Sequence, residues 1–362
     1  MKIKLTLPAY SGDKRLSNKR YMRWMRPLRA VGLHGKSKQI GVGNMTMHRV
    51  VCAVLFAGMC VATSPAIAQE SPVTELEAPP TAQLVITAKA KGRVKGSREL
   101  PKIQQDDLEV RLKGHPAKIF DWVPLQGPNA AMQLVILIDD SVRSYFALQI
   151  PSLKKFIMAL PSSTEVAVGY MDNGRVDFAQ TMTADHALAA KSLRLPNEIP
   201  GISGSPYFVL SDLAKHWPSK AATARRVVFM VSNGEDPYYR GSDLQDPYVA
   251  AAISDSQKAG LLVYAIYFRV QGYGGSNSIG ALYGQSYLLE VADATGGELY
   301  TEAMSSPVSF DPFLKQFKTS LDHQYLLAVA ANGSGLQQVK VKSKVPGVKL
   351  AAPSEVNVGP RL

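Results

Sequence analysis

From Met132 to His323, short apolar runs alternate with stretches in which apolar residues return every three or four positions. Gln133–Ile138 (QLVILI), Arg225–Val231 and Leu261–Phe268 are near-continuous apolar runs of strand length, the mark of strands buried on both faces of a parallel sheet. Between them the spacing predicts a helix over Tyr145–Leu160, where Phe146, Ile150, Leu153, Phe156, Ile157 and Leu160 share one face. Further helices are predicted near Asp185–Leu193, Tyr207–Trp217, Tyr248–Ala259, Tyr287–Ala294 and Phe310–His323, with a short strand at Glu298–Thr301. Punctuation agrees with this period: Ser205-Pro206 opens a helix and Gly260 closes one. Asp172-Asn173-Gly174 between Glu165–Met171 and Val176–Thr181 predicts a hairpin, because Asn and Gly tolerate the positive φ that tight strand reversals need. Gln271–Gly284, rich in Gly, Ser, Asn and Tyr, reads as an exposed loop. Strand–helix alternation of this kind predicts an α/β fold: a doubly wound three-layer sandwich around a mostly parallel central sheet, spanning 131–323.

On either side the period drops to two. Gln83–Ala90, Leu108–Leu112 and Lys118–Val123 are short strands separated by Gly-containing turns and closed at Gly127–Asn129, a small flanking β-module over 82–130. Tyr325–Ala330, Leu336–Val345 and Val348–Ala352 give a second β texture over 324–362, open to pairing with the first.

Ahead of the module, Val50–Ala62 is a thirteen-residue apolar run behind His48 and Arg49, followed by Ala66-Ile67-Ala68. A spanning helix needs about 20 apolar residues, so the segment 45–68 reads as a signal peptide cleaved before Gln69. Residues 69–81, of Pro, Ala, Glu and Thr, form a linker, and 1–44 form a basic leader consistent with an over-extended start. The expected location is secreted or periplasmic, with no membrane span after the leader.

Charge changes the picture once this partition is made. Residues 1–44 carry eleven Lys/Arg and one Asp, and Arg49 adds another cation, so only about one unit of the formal +12 remains after Gln69. The basic balance belongs to the leader and gives no warrant for nucleic-acid binding. Both cysteines, Cys52 and Cys60, also lie in the leader, which leaves no thiolate, disulfide or cysteine–metal chemistry beyond it.

Candidate chemistry concentrates where Gln133–Ile138 runs into Asp139-Asp140-Ser141-Val142-Arg143-Ser144. Ligands of open α/β sheets bind in the crevice outside the carboxyl ends of the strands. Enzymatic readings find no support. Asp185-His186 and Asp322-His323 are helix neighbours that do not face each other. Gly201-Ile202-Ser203-Gly204 lacks the Gly-x-Ser-x-Gly elbow, and Gly272–Asn277 ends in Asn where a dinucleotide fingerprint needs Gly. The chain is therefore expected not to be an enzyme.

In their order, LIDDS, VGYMDNG, GSPYFVLSDL, MVSNGEDPYY, ADATGGELY and HQYLLAV resemble the von Willebrand factor type A domain. They are most similar to the exported "VWFA-related" proteins of Acidobacteria, over roughly Ile86 to Val358. The resemblance implies a metal-ion-dependent adhesion site, where three loops hold Mg²⁺ or Mn²⁺ through hard oxygen ligands and a partner carboxylate completes the octahedron. Asp139 and Ser141 match the first loop and Ser205 supplies the hydroxyl of the second. The pattern departs at Arg143, which stands for a serine, and at Asn233, which stands for an aspartate. A guanidinium within ~4–5 Å of a divalent ion opposes it by several kcal/mol, and pairing of Arg143 with Asp139 or Asp140 is the expected substitute for the metal.

The expectation is then a degenerate site on a protein-interaction module whose partner, an unidentified protein, docks without cofactor on Asp140, Ser144, Glu235, Asp236, Tyr238, Tyr239 and Tyr273. Two alternatives stand beside it: Mg²⁺- or Mn²⁺-bridged capture of an acidic partner residue through Asp139, Ser141, Ser205 and Asn233, and a purely structural domain with a vestigial site.

Overall fold

The computed structural model describes residues 81–91, 100–140, 142, 144–196, 204–221, 224–239, 245–269, 278–302 and 306–361. Segments 1–44, 45–68 and all but the last residue of 69–81 lie outside them, as do Ser141, Arg143 and Tyr273. The described residues belong to one unit, Thr74–Leu362.

In chain order the strands are β1 (Thr81–Ala90), β2 (Leu108–Leu112), β3 (His115–Pro116), β4 (Ile119–Pro124), β5 (Met132–Ile138), β6 (Thr164–Asp172), β7 (Arg175–Thr183), β8 (Arg225–Ser232), β9 (Leu261–Tyr267), β10 (Glu298–Tyr300), β11 (Gln324–Ala330), β12 (Gly335–Ser343), β13 (Val348–Ala351) and β14 (Glu355–Val358). The helices are α1 (Ile150–Met158), α2 (His186–Lys191), α3 (Pro206–Lys215), α4 (Pro247–Ala259), α5 (Ser278–Thr295) and α6 (Asp311–Asp322).

A six-stranded sheet has the order β10-β9-β8-β5-β6-β7. All its pairings are parallel except the edge hairpin β6–β7, which reverses through Asn173 at φ 46° and Gly174 at φ 75°. Because β5 is covered on both sides, its residues alternate between two cores. Leu134, Ile136 and Ile138 meet Leu153, Phe156 and Ile157 of α1, Ala189 and Ala190 of α2, and Leu314, Phe317 and Leu321 of α6. Val135 and Leu137 meet Tyr207, Leu210 and Leu213 of α3, Val249 and Ala252 of α4, and Leu288 and Val291 of α5. This is the doubly wound, three-layer arrangement that the alternation predicts.

The segments flanking this domain pair with each other. β1 lies between β11 and β14 and also carries β13, β2 pairs with β12, and β4 pairs with β11, all antiparallel. The resulting eight-stranded sheet has its own core of Leu84, Ile86, Leu108, Val110, Leu327, Val329, Val339 and Val356. Two buried polar links tie it to the six-stranded sheet. Tyr264 Oη of β9 accepts from Gln324 Nε2 at 2.9 Å and lies 3.2 Å from Thr87 Oγ1 of β1. The Arg225 guanidinium donates to the carbonyls of Leu125 and Leu321 at 3.3 and 3.4 Å. No helix among the described residues is long and apolar enough to cross a membrane.

The sequence expectation lacks the short strands β3 and β14, and two further elements differ from it. The helix predicted over Tyr145–Leu160 begins as a 3-10 segment, Ser144–Gln149, and becomes α1 only at Ile150. Pro151 offers no N–H and sterically disfavours α geometry upstream, so it stands in the first turn. The loop expected over Gln271–Gly284 gives way at Ser278 to α5.

Candidate functional site

Three loops meet at the carboxyl end of the six-stranded sheet. The first leaves β5 at Asp139, which is 4% exposed and whose backbone N–H donates to the Val231 carbonyl of β8 at 2.9 Å. That bond seats the carboxylate beside the end of β8, where Asp139 Oδ2 accepts the Ser232 hydroxyl. Ser232 Oγ in turn accepts the Gly234 N–H at 2.9 Å, so first and third loops are joined through one buried hydroxyl. Asp140 is half-buried, and Ser144 opens the 3-10 segment.

The second loop delivers Ser205, fully buried as the N-cap of α3. Its Oγ accepts the Tyr207 N–H at 3.2 Å and donates to Asp236 Oδ2 at 2.7 Å. The third loop is fixed internally. Asn233 Oδ1 accepts the Glu235 N–H at 3.0 Å, Asp236 Oδ1 accepts the Tyr238 N–H at 2.7 Å, and Tyr207 Oη donates to the Gly234 carbonyl at 2.6 Å. The carboxylate facing the Ser205 hydroxyl is therefore Asp236, three positions after Asn233, while the Asn233 amide oxygen serves its own turn.

Close backbone approach holds this loop against α5. A Cβ on Gly234 would lie 2.3 Å from the Gly284 carbonyl oxygen, and one on Gly284 would lie 2.3 Å from that of Asn233. Gly284→Ala is expected to force α5 off the third loop and to destabilise the protein by about 1–3 kcal/mol, the usual cost of overpacking. Urea unfolding checks this; an unchanged midpoint would mean the contact is slack.

Burial and like charge shape the electrostatics. Asp246, 3% exposed, caps α4 by accepting the Tyr248 and Val249 N–H groups at 2.8 and 3.4 Å, and its Oδ2 is buried without a hydrogen bond among the described residues. Burial, with the Asp236 charge nearby, pushes its carboxyl above the usual range. The Tyr207 phenol is held well above 10, first by burial and then by Asp236 and Asp246. Burial and the Asp246 charge push Tyr287 up to about 12.

The rim is aromatic. Phe208 lies against Tyr238 and Tyr248, with ring centroids 5.1 and 4.7 Å apart, and the two tyrosines are 48% and 37% exposed. Glu235, Asp236 and Tyr239 are half-buried beside them. Of the residues that sequence reasoning selected, the structure gathers Asp139, Ser205, Asn233, Glu235, Asp236, Tyr238 and Tyr239 on or under these loops. It missed Ser232, Tyr207, Phe208 and Asp246, of which the Asp-Pro step at 246–247 alone offered a local signal, as an N-cap.

Among the described residues, no group of three or more His, Cys, Asp or Glu is placed to hold a metal ion. Three of the described histidines serve local structure. His186 Nε2 lies 2.8 Å from the Thr164 carbonyl, His216 Nδ1 lies 3.0 Å from Asp212 Oδ1, and His323 Nδ1 lies 2.8 Å from the Thr319 carbonyl.

No protein-family model and no curated protein matches the chain. Solved structures do. An aerotolerance-related membrane protein from Bacteroides fragilis is 13% identical, covering 53% of this chain and 98% of its own, with a TM-score of 0.39. The ArnB paralog VWA2 from Sulfolobus acidocaldarius is 10% identical and covers 76% and 75%, with a TM-score of 0.35. The SpRpn10 VWA domain is 11% identical and covers 53% and 97%, with a TM-score of 0.37. Strand order, parallel pairing and helices on both faces make a doubly wound, three-layer α/β fold, similar to that of these von Willebrand factor A domains.

Proposed function

We propose that the chain is an exported protein-interaction module that docks a partner protein, without a metal bridge, on the loops at the carboxyl end of its six-stranded sheet. The observation that carries this reading is the aromatic cluster in which the Phe208 ring lies against both Tyr238 and Tyr248, partly open to solvent beside half-buried Glu235 and Asp236. Clustered, pre-positioned aromatic side chains with a polar border are the composition of interaction hot spots. The loops that present them are stiffened by the Ser232–Asp139, Ser205–Asp236 and Tyr207–Gly234 bonds, so little ordering entropy remains to be lost on docking.

The donor set described fits Mg²⁺ poorly. Asn233 spends its amide oxygen on the Glu235 N–H, and the Ser205 hydroxyl is donated to Asp236. No step of the proposed recognition passes through a metal. No catalytic step enters this reading.

The test is capture of partner from an envelope extract. Tyr238→Ala is expected to lower capture about tenfold, the loss typical of one aromatic hot-spot residue, while EDTA leaves capture by the unaltered chain unchanged. Loss of capture with EDTA, restored by Mg²⁺ or Mn²⁺, would replace this reading with metal-bridged recognition. Capture indifferent to both EDTA and Tyr238→Ala would leave the aromatic rim as packing.

A further inference from the structure

The longest helix among the described residues, α5, has eighteen residues and is apolar on both sides. Its inward side buries Tyr287, Leu288 and Val291 in the core shared with α3 and α4. Its outward side carries Ile279, Leu282, Ser286 and Leu289, spaced three, four and three apart, so that they fall on one line. Ile279 is 62% exposed, Leu282 51% and Leu289 47%. A surface helix normally turns charged residues outward, and one that is apolar all round belongs in an interior. The ordinary case is α6, which buries Leu314 and Phe317 and exposes Lys315, Lys318 and Asp322.

Alternating intervals of three and four are those of a seam along which one helix meets another. Charge says which helix. α5 contains no Lys or Arg, and its two acids, Glu290 and Asp293, are exposed in its C-terminal half. There they stand toward the negative end of their own macrodipole, an unfavourable place for a carboxylate. Beside the N-terminus of an antiparallel helix the same carboxylates become favourable, and a second α5 supplies such a helix. With the two helices aligned level with Gly284, Ile279 meets Leu289 of the second copy, and Leu282 meets its Ser286, a large side chain over a small one. Ser286 is suited to being covered, since its Oγ donates to the Leu282 carbonyl of its own helix at 2.8 Å and is left with no unsatisfied donor.

We propose that the solvent face of α5 is a self-association surface, on which two copies of the chain join through antiparallel α5 helices. A two-fold axis makes the contact isologous, so assembly closes at a dimer. Three exposed apolar residues from each copy make a small interface, and the dimer is accordingly weak and reversible rather than obligate. Phe208, Tyr238 and Tyr248 take no part in the contact, so it stands or falls apart from the partner surface at the loops.

The test is sedimentation equilibrium of the full chain from about 1 to about 300 µM, with a monomer–dimer Kd of about 10–100 µM expected for an interface of this size. Leu282→Glu should weaken the dimer at least about a hundredfold and leave a monomer throughout that range, because it buries a carboxylate with no partner. Glu290→Lys should weaken it about threefold to tenfold, by bringing a cation to the N-terminus of the second helix. Leu188→Glu on α2, where the leucine is 45% exposed away from the seam, should leave the dimer unchanged. Should Leu282→Glu fail to fold, Ile279→Glu takes its place, since an acid in the first turn suits the dipole of its own helix. A chain monomeric at the highest concentration, a dimer that survives the folded seam variant, or one lost equally in Leu188→Glu overturns the proposal.

Discussion

A chain that stops at His323 will not fold to a stable domain. β11, β12, β13 and β14 all lie beyond that point. Their loss strips β1 of every neighbour it has among the described residues, where its ladders run to β11, β13 and β14. β2 loses β12 and keeps only the two-residue β3, while β4 loses β11. The buried side chains of Leu327, Val329, Val339, Val348, Val356 and Val358 leave with the segment, exposing Leu84, Ile86, Leu108 and Val110, which they cover. At ~1.5–3 kcal/mol for each large aliphatic group, the loss is on the order of 10 kcal/mol, comparable with the ~5–15 kcal/mol that stabilises an ordinary domain. The damage extends into the six-stranded sheet, since Gln324 is a buried hydrogen-bond donor to Tyr264. The expected outcome is a truncated chain with no cooperative thermal transition and strong binding of a hydrophobic dye. A sharp transition near that of the full chain would show instead that the A-like domain is self-sufficient.

Why this dependence escapes the sequence is a matter of distance along the chain. The pattern locates β1, β2 and β4 at one end and β11, β12 and β13 at the other, but nothing local says which edge meets which. Pairing is decided by Val85, Leu125 and Leu326, which turn toward the cluster beneath β5 and α6 and fix how the second sheet sits. The six-stranded sheet was far more legible. Strands buried on both faces must be apolar without interruption, and β5, β8 and β9 are. β14 passed unnoticed because four residues, Glu355–Val358, bounded by Pro353 and Gly359, carry too little period to register. The first turns of α5 were misread for the opposite reason: Gly280 and Gly284 give that stretch a loop's composition. Gly284 is there because the Asn233 carbonyl leaves no room for a Cβ. At the site, Asp139 and Ser205 could be selected from sequence, since each closes or opens a strongly patterned element. Asp236 could be placed on the third loop but not opposite Ser205, because that choice depends on how Gly234 folds the chain through φ 70°.

Raising the pH from 10 to 12 is expected to unfold the protein cooperatively, and the buried tyrosines set that window. Tyr264, wholly enclosed, is pushed up from 10.0 to about 12 by burial, although its contacts with Thr87 and Gln324 act in the other direction. Tyr287 is also raised to about 12, and Tyr207 is raised well above its ordinary value. In this interval the folded chain holds protons that the unfolded chain has released. The stability these phenols contribute is therefore complete below pH 10 and is lost as pH climbs through the folded values. A two-unit shift corresponds to about 2.7 kcal/mol, so Tyr264 and Tyr287 together account for about 5 kcal/mol. Arg225 works against them. Burial lowers it from 12.5 to about 10, so the unfolded chain holds the extra proton there and the arginine's contribution rises with pH. Arg226 and Arg361 are lowered in the same sense, but three guanidiniums against seven raised phenols, Tyr170, Tyr207, Tyr264, Tyr267, Tyr287, Tyr300 and Tyr325, leave the net direction destabilising. The share of phenolate absorbance that belongs to the buried rings should appear only in step with the loss of ellipticity, whereas full phenolate absorbance with ellipticity retained to pH 12 would contradict the burial assigned to these rings. Tyr264→Phe separates the group from the rest. It should be about 1 kcal/mol less stable at neutral pH, because Gln324 Nε2 and Thr87 lose their shared partner. Its stability should nevertheless fall less steeply above pH 10, since the phenol that titrates is gone.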